Sequence, residues 1–420
     1  MKKVMSKGGV DSWVLPHNQF QVLSHAMPFK DVVGVMITYL VGSRLERKGQ
    51  TGATHFLEHM MFKGSEKYQK KKGNDIDHLE SIGAQINAST WFDRTNYYAL
   101  IPKDFLQQVI DMEADRMRFA LLTSEDVASE RTVILNEHDQ GENSHHGYLL
   151  KLLWAKAFDK HGYRHPTIGW REDIEQMSVA DLREYYDQLY HPNRATLTLV
   201  GDLNDVPWQA WVENSFGGIT SQASEVDVIV EPTQHSMKRF EITRSAPEDL
   251  VATAFKIPRA LDSDFLALDV LSSILGDGPI SLLAKACVDK RLVRWIYADA
   301  SASYEPGLLS IVAAVVPGQT ADDVEQAIMG VITDIQENGI DDAVLQRVLM
   351  QRRSEMIFQQ DSIMEQLQSL NESIALGSWY RPIDWLQEMT LLTPEMIQQV
   401  CQKYCQQQQM TIGRLLREES

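Results

Sequence analysis

A chain of 420 residues is longer than one hydrophobic core ordinarily spans, so two domains of about 200 residues each are expected. Its apolar fraction of 44% and charged fraction of 23% exclude a disordered or fibrous protein. A formal net charge of −18 argues against sequence-independent binding to nucleic acid, which needs Lys and Arg to neutralise phosphates; it reads first as solubility, with a fit to cationic substrates as the alternative.

No stretch approaches the roughly 18 to 20 consecutive apolar residues of a membrane-spanning helix. The opening MKKVMSKGGVDSW has basic residues but no apolar run behind them. A soluble cytoplasmic chain is therefore expected, or a periplasmic one if a signal peptide has been removed. The cysteines, Cys287, Cys401 and Cys405, show no zinc-finger grouping and are odd in number, so no disulfide framework is expected. Cys401 and Cys405 stand at helical i, i+4 spacing and read as packing residues.

Along the chain, the β-rich run VVGVMITYLVGS (Val32 to Ser43) precedes a helical segment around ATHFLEHMMF. The region INAST…TNYYALIP reads as strand, ERTVILNE as helix, and ATLTLVGD (Ala195 to Asp202) as the strand that closes the first half. Gly, Ser, Thr and Pro accumulate between Phe216 and Ser236, which places a linker at about 218–234 between a domain of 1–217 and one of 235–420. The second half repeats the order of the first: the strand LVATAFKIP from Leu250, the helix DFLALDVLSSILGDG, then the strand GLLSIVAAVV from Gly307. An internally duplicated α+β unit follows from this shared order. From about Thr320 to the Gln-rich end, helical periodicity dominates.

His55-Phe56-Leu57-Glu58-His59 reads H-x-x-E-H in a segment of good helix formers. Residues three and four apart share a helix face, so two imidazoles and a carboxylate converge. Neutral imidazole is a preferred Zn²⁺ ligand, and a catalytic zinc keeps three protein ligands and one open position. Glu58 is then free to act as base on a water activated by the metal. With 12 histidines in the chain, the pattern arises by chance in about one such sequence in forty, so a third ligand must strengthen the argument. Glu130 and Glu137 lie seven apart on one face of a helix. Glu137 is expected to ligate and Glu130 to hold a histidine from behind, completing the catalytic set with Glu58.

Other histidines read differently. His145 and His146 are adjacent, about 100° apart on a helix, and are expected in a loop or at the surface. His165 and His191 precede prolines and are expected to fix turns. His138 is expected to face away from the metal.

In order over residues 20 to 205, HFLEHMMFKGS, GAQINASTWFDRTNYYA, ERTVILNE and HPTIGWREDIEQMSVADLREYYDQLYHPNRATLTLVGD resemble the inverted-zincin peptidases of the pitrilysin and mitochondrial processing peptidase family. The resemblance implies an α+β fold of two homologous α/β-sandwich halves, each a mostly antiparallel sheet covered by helices. It implies one Zn²⁺ per chain on His55, His59 and Glu137, with Glu58 as base. It also makes Asn87, Ala88, Ser89 and Thr90 an edge strand that pairs with an extended peptide substrate. The activity implied is that of a zinc endopeptidase on peptides or unfolded segments, working as a dimer.

The second half departs from the family. Active single-chain members carry an Arg and a Tyr seven residues apart in the stretch that here reads SLLAKACVDKRLVRWIYAD, and the corresponding positions are Val288 and Trp295. Val has no polar atom and Trp donates from an indole nitrogen in a different place. The expectation is a heterodimer whose partner supplies the pair; a shifted alignment would instead use Lys290 and Tyr297. Two rivals stand beside the peptidase. A non-catalytic scaffold subunit is opposed by the intact motif, and a zinc enzyme acting on a small molecule is opposed by the two halves and the backbone-pairing strand.

Overall fold

The computed structural model describes residues 1–27, 31–69, 72–73, 76–222 and 229–418. Of the expected linker, residues 223–228 lie outside the described residues.

Two sheets organise the chain. The first holds β1 (Lys2–Lys7), β2 (Val10–Leu15), β3 (Phe20–Ala26), β4 (Val32–Tyr39), β5 (Gln85–Thr90), β6 (Thr95–Pro102) and β7 (Ala195–Gly201), in the order β1-β2-β3-β7-β4-β6-β5. The second holds β8 (Lys238–Arg244), β9 (Leu250–Lys256), β10 (Val293–Ala300), β11 (Leu308–Val315) and β12 (Met410–Arg417), in the order β10-β11-β9-β12-β8. The fold is α+β, with mostly antiparallel sheets and many covering helices. Reversed, the second order reads β8-β12-β9-β11-β10, which repeats β3-β7-β4-β6-β5 strand for strand. The single parallel pair falls in the same place in each, β3 with β7 and β8 with β12. The duplication that the order of elements implied is thus a duplication of topology.

The chain forms two compact units that interleave in sequence. One comprises Met1–His138, His165–Ile229 and Ile357–Ile383; the other comprises Asp139–Arg164, Val230–Met356 and Asp384–Ser420. The period-2 pattern of β4 shows why the first unit draws on the end of the chain. Val33, Val35, Ile37 and Tyr39 face a core shared with Phe56, Leu57 and Met60, while Met36 on the other face joins Ile363, Leu367, Leu370 and Ile374. The helix Ile363–Ala375 therefore covers the second face of the first sheet. Gly34 lets it approach: a Cβ there would lie 2.5 Å from Leu367 Cδ1 and 2.6 Å from Ile363 Cγ2. Reciprocally, the helix His145–Ala157 packs on β9 and β12 in the second unit.

Helical periodicity does not run to the C-terminus. The last element is β12, held between β8 and β9, so the pattern-based expectation for the chain end is corrected. Its sequence MTIGRLLR takes strand form because both neighbours offer open ladders, an option that local pattern does not register. All three cysteines are buried and unpaired, as packing residues.

Candidate metal centre

The H-x-x-E-H segment forms the helix Ala53–Met60. It buries Ala53, Phe56, Leu57 and Met60 against the sheet and leaves His55, Glu58 and His59 together on a half-buried face. Across from it runs the long helix Ser124–Asn143, which buries Val127, Glu130, Ile134 and His138. Glu137, seven residues after Glu130 on the same face, is 42% exposed.

The two helices bring three donors to one point. Glu137 Oε2 stands 3.4 Å from His59 Nε2 and 3.8 Å from His55 Nε2, and the three ligand atoms lie within 4.8 Å of one another. Donors on a tetrahedral zinc at about 2.0–2.1 Å are separated by about 3.3–3.4 Å, which the Glu137–His59 pair matches, while the wider separations need small side-chain rotations to close on such an ion. Protonation fits as well. Burial, aided by the charge of His59, pulls His55 down to about 4, so its imidazole is neutral and able to ligate at physiological pH. With its proton on Nδ1, His59 donates to Glu130 Oε2 at 3.1 Å, leaving the Nε2 lone pair directed at the Glu137 side.

Glu58 does not join the three donors. Its Oε2 accepts a hydrogen bond from Thr90 Oγ1 at the end of β5. Burial raises its carboxyl above the ordinary carboxylate range, opposed by the Thr90 bond and the charge of His59. A carboxyl poised in this way is suited to taking and returning a proton.

β5 is the end strand of its sheet, with β6 its one neighbour in the strand order. On it, the exposed N–H of Ala88 is accepted by the side chain of Asn87, Oδ1 at 2.8 Å. Ser89 is tied inward, its N–H and hydroxyl both donating to Asn96 Oδ1 at 3.0 and 2.7 Å. Arg94 donates to Ser89 Oγ at 2.8 Å and to Glu372 on the helix Ile363–Ala375. The four positions of the expected substrate strand thus divide into a backbone edge at Asn87 and Ala88, an anchor at Ser89 and a contact with Glu58 at Thr90.

Two participants escaped the sequence reading. Lys63 forms an ion pair with Glu130 Oε1, extending the chain His59–Glu130–Lys63; its spacing, four after His59, was the available signal. Glu46 binds the start of the motif helix and carries no local signal at all. His146 also needs correction. It belongs to neither loop nor open surface: it is the second residue of the helix His145–Ala157, and its Nε2 bonds the Tyr297 hydroxyl at 2.7 Å while its ring packs on Trp295. His165 accepts from the Trp170 indole, and His191 bonds the Asp187 carbonyl.

In the second unit, Val288 ends a single wide helical turn, Ala284–Val288, and Trp295 lies on β10. Trp295 stacks on Tyr297 with ring centroids 6.1 Å apart. Burial pushes the Tyr297 hydroxyl up to about 12, so it remains protonated in its bond with His146. No helix among the described residues is long and apolar enough to cross a membrane.

Two histidines one turn apart, a glutamate from a second helix and a spare carboxylate between the histidines make a candidate metal site on a duplicated α+β fold. Residues 21–170 match the family described as Insulinase (Peptidase family M16), and residues 176–352 match the Peptidase M16 inactive domain. The chain belongs to the M16 peptidase family. It is 26% identical over 350 residues to a zinc protease, PqqE, of Helicobacter pylori, covering 81% of this chain and 78% of that protein. It is 25% identical over 403 residues to a probable mitochondrial-processing peptidase subunit beta of Arabidopsis thaliana, covering 91% of this chain and 73% of the other. The crystal structure of a protease from Helicobacter pylori shares the fold, with a TM-score of 0.91 at 24% identity over 97% of this chain and 99% of that one.

Proposed function

We propose that this chain is a zinc-dependent endopeptidase that cuts extended peptides or unfolded segments. The observation that carries the reading is the placement of Glu58: on the helix that brings His55 and His59 to Glu137, yet hydrogen-bonded to Thr90 at the end of an open edge strand. A zinc ion held by His55, His59 and Glu137 supplies the Lewis acidity that makes water a nucleophile at neutral pH. Glu58 takes the proton of the attacking water and returns it to the leaving amine. Glu130 keeps His59 in the ligating tautomer, with Lys63 compensating its charge. A substrate strand laid along β5 exchanges the local Asn87–Ala88 bond for one to its own carbonyl, which selects backbone shape over side-chain sequence. Relatives named as zinc proteases support the choice of metal.

A second reading is favoured by the other unit. Val288 is apolar and Trp295 has only its indole nitrogen, so the expected positions carry neither Arg nor Tyr, and in the shifted alignment with Lys290 the Tyr297 hydroxyl is already engaged by His146. In that reading the chain is the zinc-bearing subunit of a dimer, and a homologous partner supplies the pair.

The test is hydrolysis of a mixed library of unstructured peptides by the zinc-loaded chain, beside Glu58→Gln and a chelated control. Cleavage lost by at least about a thousandfold in both controls, with zinc still bound to Glu58→Gln, supports the stand-alone peptidase. One zinc per chain without cleavage supports the partner-dependent subunit. Absence of zinc binding refutes both.

A further inference from the structure

The helix that carries the two zinc-directed histidines begins without a cap of its own. Its N-cap is Gly52, held at φ +88° and possessing no side chain to accept a bond. The first N–H groups of a helix are orphaned, and together they give that end a partial positive charge of roughly half an electron. His55 is the third residue of this eight-residue helix, so a dication bound there sits beside the end least hospitable to it.

Glu46 answers both problems. It is 3% exposed, and each carboxylate oxygen takes a different amide: Oε2 accepts from Gly52 N–H at 2.7 Å and Oε1 from Thr54 N–H at 2.8 Å. Two donors on two separate oxygens is the pattern that an ionised carboxylate satisfies best. Burial works against that state, pushing the group up to about 8 despite the bonds from Thr54 and Gly52, and the charge of nearby Asp173 adds to the push. A cation held by His55, the residue after Thr54, would act in the opposite direction.

The neighbouring contacts belong to the approach of the chain, not to the helix end. Asp173 accepts from Thr51 N–H at 3.1 Å and from its hydroxyl at 2.6 Å, and Trp170 N–H donates to Thr51 Oγ1 at 2.9 Å. Glycine is required at 52, because a Cβ would lie 2.5 Å from the Ile168 carbonyl oxygen. The backbone is therefore brought so close that a capping side chain at its own N-cap has no room. A carboxylate six residues upstream takes its place.

We propose that Glu46 is a positioning residue of the metal centre: it caps the motif helix through space, fixes the direction of His55 and His59, and offsets the positive helix end next to the bound cation. This rests on the reading of His55, His59 and Glu137 as a zinc site.

The test is zinc affinity of the full chain by competition with a chromophoric chelator, together with the visible spectrum of the Co²⁺-loaded protein and the melting temperature of the metal-free protein. Wild type is compared with Glu46→Gln, Glu46→Asp and Asp173→Asn. Glu46→Gln presents an NH₂ to one of the two amides, and its zinc affinity is expected to fall about 10- to 100-fold, with altered Co²⁺ bands. Asp173→Asn is expected to lower the melting temperature and leave affinity within about threefold of wild type. If Glu46→Gln fails to fold, Glu46→Asp, which keeps the charge but loses reach, carries the test with an expected loss of about 3- to 10-fold. Affinity unchanged in the folded Glu46 variants, or an equal loss in Asp173→Asn, overturns the proposal. Failure of wild type itself to bind zinc refutes the underlying site reading instead.

Discussion

Replacing Glu231 with glutamine should cost the second unit about 2 kcal/mol at neutral pH. Its carboxylate receives the backbone N–H groups of Asp159, Lys160 and His161 at 2.8, 2.9 and 2.9 Å and the Lys256 ammonium at 2.7 Å. These bonds fasten the segment that follows the helix His145–Ala157 onto β9. Burial alone would raise the carboxyl, but Lys256 and the three amides outweigh it and hold it at about 2, against the ordinary 4.5. That gap corresponds to about 3.4 kcal/mol at about 1.36 kcal/mol for each tenfold in proton affinity. The side chain is 11% exposed and its amide partners lie at the rim, so solvent screening brings the figure to about 2 kcal/mol. Since the folded value lies below the unfolded one, the contribution is fully present above about 4.5 and is lost as pH falls through about 2. Urea unfolding of wild type and Glu231→Gln across this range measures it. Equal stabilities at pH 7, or a difference that persists undiminished at pH 2, would refute the reasoning.

Two further outcomes concern the site and its support. Glu130→Gln should weaken zinc binding by about 10- to 100-fold while leaving the metal-free fold intact, since it loosens the tautomer of His59 without removing a donor; competition titration and circular dichroism check the two halves of that statement. Gly34→Val should destabilise the first unit by about 1–3 kcal/mol, because its Cβ meets Leu367 and Ile363 well inside contact distance; a urea midpoint equal to wild type would show that the helix Ile363–Ala375 yields freely.

The parts of this protein that were legible in its sequence are those governed by local period. His55, Glu58 and His59 lie within five residues, so the helical repeat alone puts them on one face, and the seven-residue spacing of Glu130 and Glu137 does the same. The strand runs of β4, β7, β9 and β11 are apolar enough to declare themselves, and their shared order in the two halves announced the duplication. Tertiary structure decided the rest. β12 is eight residues that pair with strands more than 150 residues earlier, and nothing in its own pattern distinguishes it from the helices before it. The exchange of the helices His145–Ala157 and Ile363–Ala375 between units follows from which sheet faces remained uncovered, a property of the assembled layers. The bonds of Thr90 to Glu58, Lys63 to Glu130 and Glu46 to the helix start arise where separate elements meet. Periodicity records the face a residue occupies within its own element; which residue of another element stands opposite is set only when the layers pack.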